Sequence, residues 1–204
     1  VEYNEFGEVA KVELSNGTTQ RWQYDERSRL RSTQLTGAAG TAVSWTYGYD
    51  RVGNVESVVD ELPASDGPSR NATYTFDALH RLTGAHLDAG KPHEEVLTYA
   101  YDDIDNLLGK WSTDTSSVAH IGDYTYGSAR PHAVTRAGER TLGYDAAGNV
   151  VQHGTREIER DFRGRIVSVV EAGETLTTNV FGPGDARVLS GGPRGTVWHV
   201  AEGF

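Results

Sequence analysis

The stretch Tyr47-Gly48-Tyr49-Asp50-Arg51-Val52-Gly53-Asn54-Val55 decides the fold. Aromatic residues at i and i+2 project to one face of an extended strand and would diverge on a helix. The Asp that follows has a short carboxylate suited to accept a backbone N–H two residues on, which is turn chemistry. Gly53, four residues after the anchoring Tyr49, tolerates positive φ at little cost. Val55-Glu56-Ser57-Val58 then alternates again, as a second strand does. The segment reads as strand, turn, strand: a β-hairpin.

The same phrase recurs along the chain. It stands as Trp22-Gln23-Tyr24-Asp25 with Arg29-Leu30, Tyr74-Thr75-Phe76-Asp77 with Arg81-Leu82, and Tyr99-Ala100-Tyr101-Asp102 with Asn106-Leu107. Weaker copies are Leu142-Gly143-Tyr144-Asp145 with Gly148-Asn149-Val150, and Arg160-Asp161 with Gly164-Arg165-Ile166. Tyr3-Asn4 with Gly7 and Val9 is a copy cut in half. Tyr124-Thr125-Tyr126 keeps the aromatics but has Gly127 for Asp, with Pro131 breaking the offset, and Phe181 to Val188 keeps the pattern with one extra residue. All ten tyrosines fall in these copies. The anchors Tyr24, Tyr49, Phe76, Tyr101 and Tyr126 are separated by 25, 27, 25 and 25 residues, a period that marks a repeat architecture.

The expected fold is all-β: stacked antiparallel hairpins forming a curved sheet, on the order of 15 short strands, with helix nearly absent. One hairpin is marginal in water, whereas neighbours bury each other's aromatics in cross-strand ladders. Looser connections are expected at Thr36–Thr41, Asp60–Asn71, Asp88–Glu94 and Ser112–Ser117. No domain boundary interrupts residues 1–204, and strand-like residues at both ends suggest a segment cut from a longer polypeptide.

Composition narrows the chemistry. With 19 Lys and Arg against 29 Asp and Glu, the 204-residue chain carries a net charge of −10. An acidic surface repels phosphate backbones, so a nucleic-acid partner is not expected. Without Cys there is no disulfide, thiolate nucleophile or zinc–thiolate site. No apolar run approaches the roughly 20 residues of a membrane-spanning helix.

No residue is assigned a catalytic, cofactor-binding or metal-binding role. The Tyr-Asp pairs suit acid–base work in type, but an element repeated along the whole chain is architecture. Asp102-Asp103-Ile104-Asp105-Asn106 looks like a cluster for a hard cation, yet it lacks the Gly and distal Glu of a calcium loop. The seven histidines, at 80, 86, 93, 120, 132, 153 and 199, are scattered without zinc spacing. The Gly-rich segments 182–184 and 191–195 read as turns, and no Gly-x-Ser-x-Gly occurs. Asn16-Gly17-Thr18 and Asn71-Ala72-Thr73 match glycosylation sequons, the first being also a hairpin turn. Trp22, Trp45 and Trp111 are suited to stacking on sugars or to cross-strand ladders.

Tyr-Asp-x-x-Gly-Asn/Arg-Leu/Val, recurring every 20-odd residues, resembles the repeats of the YD-repeat, or rearrangement-hotspot (Rhs), family over essentially the whole chain. Arg130-Pro131-His132-Ala133-Val134-Thr135 resembles a segment near the end of many bacterial Rhs cores. The resemblance implies a spiral β-shell that encloses a C-terminal toxin in bacterial toxin complexes and Rhs effectors. In animal teneurins a similar shell serves adhesion. The implied partners are further shell segments and an encapsulated toxin polypeptide, with no cofactor, at a secreted or cell-surface location. The Asp-Pro segment with which the family often releases its toxin is absent, so self-cleavage is not expected of this stretch. The expectation is a non-enzymatic structural segment; the alternative is an adhesion or carbohydrate-binding module with glycan partners.

Overall fold

The computed structural model describes residues 1–62 and 71–199. Among them are nineteen strands and one short 3-10 turn, Pro183–Asp185. Contacts divide the chain into two units.

The first unit comprises Val1–Tyr101 and Gly109–His120. It contains β1 (Glu2–Tyr3), β2 (Val9–Glu13), β3 (Thr19–Tyr24), β4 (Leu30–Gly37), β5 (Gly40–Tyr49), β6 (Val55–Asp60), β7 (Ala72–Phe76), β8 (Leu82–Leu87) and β9 (Glu95–Tyr101). Each pairs antiparallel with the next in chain order. The division falls inside β10 (Leu107–Ser112).

The second unit comprises Asp102–Leu108 and Ile121–Phe204. It holds β11 (Gly122–Gly127), β12 (Arg130–Ala137), β13 (Arg140–Tyr144), β14 (Val150–His153), β15 (Arg156–Arg160), β16 (Ile166–Glu171), β17 (Glu174–Phe181), β18 (Arg187–Gly192) and β19 (Gly195–Trp198). These also pair antiparallel in chain order. The all-β, hairpin-by-hairpin expectation holds in both units.

The strands outnumber the expected 15 or so because tight turns join many of them, and one of these turns falls at Thr36–Thr41, where a looser connection was expected. Gly37↔Gly40, Gly127↔Arg130, Ala137↔Arg140, His153↔Arg156, Glu171↔Glu174 and Gly192↔Gly195 are paired across two-residue turns. At Ala172-Gly173 both central residues have positive φ, 52° and 82°, the geometry that matches strand twist. Of the long polar gap Asp60–Asn71, residues 63–70 lie outside the described residues, as do 200–204 of the terminal strand-like stretch.

Seven motif hairpins share one register, while the copy lacking Asp departs from it with Tyr126↔Val134. The anchor residue i pairs with residue i+6: Tyr3↔Val9, Tyr24↔Leu30, Tyr49↔Val55, Phe76↔Leu82, Tyr144↔Val150, Arg160↔Ile166 and Phe181↔Arg187. The last pair corrects the expectation of an extra residue in Phe181–Val188: the turn has the common length, and Arg187 stands where other copies have an aliphatic residue. A register shift precedes the anchor in each of these hairpins, as between Gln23 and Tyr24 or Gly48 and Tyr49. Such bulges increase local twist and re-aim the neighbouring side chain.

Strand alternation separates two kinds of surface. In the first unit the register places Trp22, Thr33 and Trp45 side by side, with Thr33 buried between the two indoles. The intervening positions carry glycine or polar side chains, mostly hydroxyls: Gln23↔Ser32↔Thr46, Gly48↔Ser57↔Thr73 and Thr75↔Gly84↔Thr98. Burial is shallow: the buried apolar residues among those described are Ala72, Ala85 and Leu97. The anchor aromatics Tyr49 and Tyr101 are contacted from the preceding copy, by Arg29 and Leu30 and by Arg81 and Leu82.

Candidate functional site: the tyrosine–aspartate turn

The feature from which any function must be built is the turn that follows each anchor. In the first complete copy, Asp25 Oδ1 accepts the backbone N–H of Arg27 at 2.9 Å and of Arg29 at 3.0 Å. Its Oδ2 accepts Arg29 Nε at 2.7 Å. The main chain closes the same loop: Asp25 N donates to Arg29 O at 2.9 Å, and Ser28 N donates to Asp25 O at 3.0 Å. One carboxylate thus satisfies donors that a tight turn would otherwise leave bare.

The other copies repeat this bond for bond. Asp77 is held by Leu79 N, Arg81 N and Arg81 Nε, and Asp161 by Arg163 N, Arg165 N and Arg165 Nε. Where the fifth residue is asparagine, its Nδ2 replaces the guanidinium: Asn54 to Asp50 at 2.7 Å, Asn106 to Asp102 at 2.8 Å, Asn149 to Asp145 at 2.9 Å. In the half copy the roles invert, with Asn4 Oδ1 accepting Phe6 N and Glu8 N while Asn4 Nδ2 donates to Glu8 Oε2. The fourth residue takes positive φ, as glycine at Gly53 (106°) and as Ser28 (59°), His80 (62°) or Asp105 (67°) elsewhere.

These bonds set the electrostatics. The Arg29 N–H and guanidinium pull the Asp25 carboxyl down to about 2. Asp77 is lowered chiefly by the Arg81 N–H, and Asp145 and Asp161 chiefly by the side chains of Asn149 and Arg165. At Asp50 and Asp102 desolvation pushes upward, and the turn donors outweigh it. A carboxylate held ionised and fully engaged by donors is a poor proton acceptor, so the motif's chemistry is that of a clasp.

A second set of bonds joins one copy to the next. The anchor phenol donates to the carbonyl of the aliphatic residue that ends the preceding copy: Tyr24 to Val9 at 3.1 Å, Tyr49 to Leu30 at 2.7 Å, Tyr101 to Leu82 at 2.9 Å, Tyr126 to Leu107 at 2.9 Å. In the degenerate copy Arg160 stands in for tyrosine, and its Nε reaches Val150 O at 3.2 Å. Phe181 has no hydroxyl, and Asn179 Nδ2 makes the corresponding bond to Ile166 O at 3.0 Å. Burial raises the phenol pKa of Tyr49, Tyr101 and Tyr126, so the donor hydrogen stays in place.

The copy lacking Asp is bridged by the Arg130-Pro131-His132 segment. Arg130 donates forward to Asp145 O at 3.1 Å and Ala146 O at 2.8 Å. Pro131 O accepts Asn106 Nδ2 at 2.9 Å, and His132 Nδ1 lies 2.8 Å from Asn106 Oδ1. Sequence reasoning singled out this segment by resemblance alone. Its structural signal, a guanidinium and an imidazole where the clasp is missing, needs the register to be seen.

The remaining candidates fall into this frame. Asp102 and Asp105 of the carboxylate cluster are the first and fourth residues of a turn. Among the described residues no group of three or more metal-type side chains converges. The histidines contact separate places, His86 with Glu94, His120 with the Ser112 N–H and His199 with Ser190. Trp111 folds over Gly109 on its own strand.

The comparisons agree with this geometry. The profile of the teneurin YD-shell family matches residues 1–178, and the chain belongs to that family. Crystal structures of similar fold include TcdB2-TccC3 (TM-score 0.60, 16% identity, 96% of this chain and 13% of that one). TcdB2-TccC3-Cdc42 gives a TM-score of 0.58 at 16% identity over 93% of this chain and 11% of that one. TcdB2-TccC3 without its hypervariable C-terminal region gives 0.61 at 16% identity over 96% and 12%. The chain thus spans about an eighth of the length of these structures, at 13% of one and 12% of another. No curated protein sequence matches it.

Proposed function

We propose that this segment is a length of wall in a YD-repeat β-shell that encloses a C-terminal toxin polypeptide in a secreted or surface-displayed bacterial protein. The work of such a wall is mechanical: it excludes proteases and cytosol from the cargo. The observation that carries the reading is the two-level bonding. Six turns are closed by their own Asp, and the tyrosine anchors Tyr24, Tyr49, Tyr101 and Tyr126 each bind the copy before them, so that repeats are fixed to their neighbours. The carboxylates that would serve an enzyme are consumed in this bonding, which supports a non-enzymatic role. The net charge of −10 suits a wall that retains a basic cargo.

The test is limited proteolysis of the full-length gene product. A C-terminal polypeptide that survives trypsin in the native protein, and is degraded once the shell is opened in urea, supports enclosure. Equal cleavage in both states, or a full-length product with no polypeptide beyond the repeats, overturns it. Specific glycan-array binding by the same protein would favour the adhesion reading instead.

A further inference from the structure

Where the fifth turn residue is arginine, its guanidinium lies over the anchor ring of the next copy. Arg29 lies over Tyr49 at 4.4 Å, Arg81 over Tyr101 at 4.8 Å and Arg165 over Phe181 at 4.4 Å. The guanidinium also reaches the next turn: Arg29 Nη1 donates to Asp50 O at 3.2 Å and Arg165 Nη1 to Asp185 Oδ1 at 2.6 Å. Asparagine is too short for this, and in two asparagine copies another side chain comes to the site. His132 and the Pro131 carbonyl meet Asn106. Beyond Asn149, Arg160 replaces the aromatic anchor and donates to Val150 O and Gly164 O.

The Asn54 copy is met by a histidine too, His80, 26 residues on as His132 is from Asn106, but open space remains beside it. Its next anchor is Phe76, and between the two turns lies a cavity of about 340 Å³ lined by Asp50, Asn54, Glu56, Phe76, Asp77 and His80. His80 makes one contact there, Nδ1 to Asn54 Nδ2 at 3.1 Å. The cavity occupies the place that a guanidinium fills in the sister copies. Phe76 and Tyr74 are its aromatic walls, and a phenylalanine at the anchor position is sufficient, since Phe181 carries Arg165. Asp50 and Asp77 are held ionised by their turns, and Glu56, exposed beside them, makes no ion pair among the described residues.

We infer that this cavity is a receptor for a guanidinium group: the arginine side chain of a partner polypeptide enters it over Phe76, repeating between chains the contact that Arg29, Arg81 and Arg165 make within this one. Cation–π attraction and the carboxylate of Glu56, which no turn engages, supply the recognition. Planar fork geometry favours arginine over lysine. The inference goes beyond the shell reading and does not depend on it.

The test is an NMR titration of the 204-residue chain with a Gly-Arg-Gly peptide blocked at both ends. The expected result is saturable shifts of the Asn54 side-chain amide and of His80. The citrulline peptide, isosteric but uncharged, should bind about tenfold more weakly, equivalent to about 1.4 kcal/mol. Asn54→Arg should fold, because arginine is native at this position in three sister copies, and should abolish the response by filling the cavity from within. Free arginine binding while the blocked peptide does not would mean a small-molecule site and overturn the polypeptide partner. Absence of saturable shifts, equal binding of the citrulline peptide, or undiminished binding to a folded Asn54→Arg variant would overturn the receptor itself. The citrulline comparison uses the unaltered chain and stands even if the variant fails to fold.

Discussion

The phenol of Tyr101 donates to the main-chain carbonyl of Leu82, nineteen residues upstream, at 2.9 Å. Tyr49 does the same to Leu30 at 2.7 Å across the same interval. Phe76 stands in the corresponding place with no hydroxyl to offer. Tyr101→Phe should therefore cost about 1 kcal/mol, the worth of one such bond, while Phe76→Tyr should recover a similar amount by reaching the Val55 carbonyl. Urea unfolding of the two variants beside the parent protein checks both signs. Destabilisation by both would show that the bond is incidental.

Acid should loosen the molecule through its turn aspartates. Their native pKa values lie below the ordinary carboxylate value, Asp25 at about 2. Their contribution to stability is complete above that ordinary value, near 4, and fades as pH falls through it towards 2. Melting temperature should stay level from pH 7 to 5 and drop steeply below 4. Asp25→Asn keeps an acceptor for the two turn N–H groups, as Asn4 does natively, so its deficit should appear at neutral pH and vanish in acid.

The fourth turn residue offers a paired exchange. Ser28 is held at φ 59°, where a Cβ is disfavoured, so Ser28→Gly should stabilise by a few tenths to about 1 kcal/mol. Gly53 sits at φ 106° with open space around it, so Gly53→Ala should cost about 1–2 kcal/mol through backbone strain alone. Thermal denaturation of both would show whether φ governs this position; a neutral Gly53→Ala would show that it does not.

Gly109 is a steric site. A methyl group there would run into the indole of Trp111, and the ring would have to leave its strand. Gly109→Ala should cost about 1–3 kcal/mol and shift the tryptophan emission maximum to the red. An unchanged spectrum would mean that the ring accommodates the methyl group in place.

Local relationships were legible in the sequence, and distant ones were not. Asp25 reaching Arg27, two residues on, follows from the habits of short carboxylates in turns. The alternating Arg and Asn four residues after Asp were visible as a pattern, but their purpose, to bind the other carboxylate oxygen, required coordinates. The bond from Tyr101 to Leu82 joins neighbouring repeats, and nothing in either residue announces the other. The tight turn at Gly37–Gly40 was hidden because it lacks an Asn-Gly or Asp-Gly pair and so looks like a loose linker. The cavity beside Asn54 could not have been read at all, since it is defined by a missing arginine and a phenylalanine one repeat away.

The tyrosine clasp has an evolutionary corollary. Its acceptor is peptide backbone, present whether the residue is Val9, Leu30 or Leu107. A copy inserted, deleted or exchanged by recombination finds the same receiving atom and needs no matching mutation next door. Genes encoding such arrays can therefore lengthen and shuffle while their products still assemble.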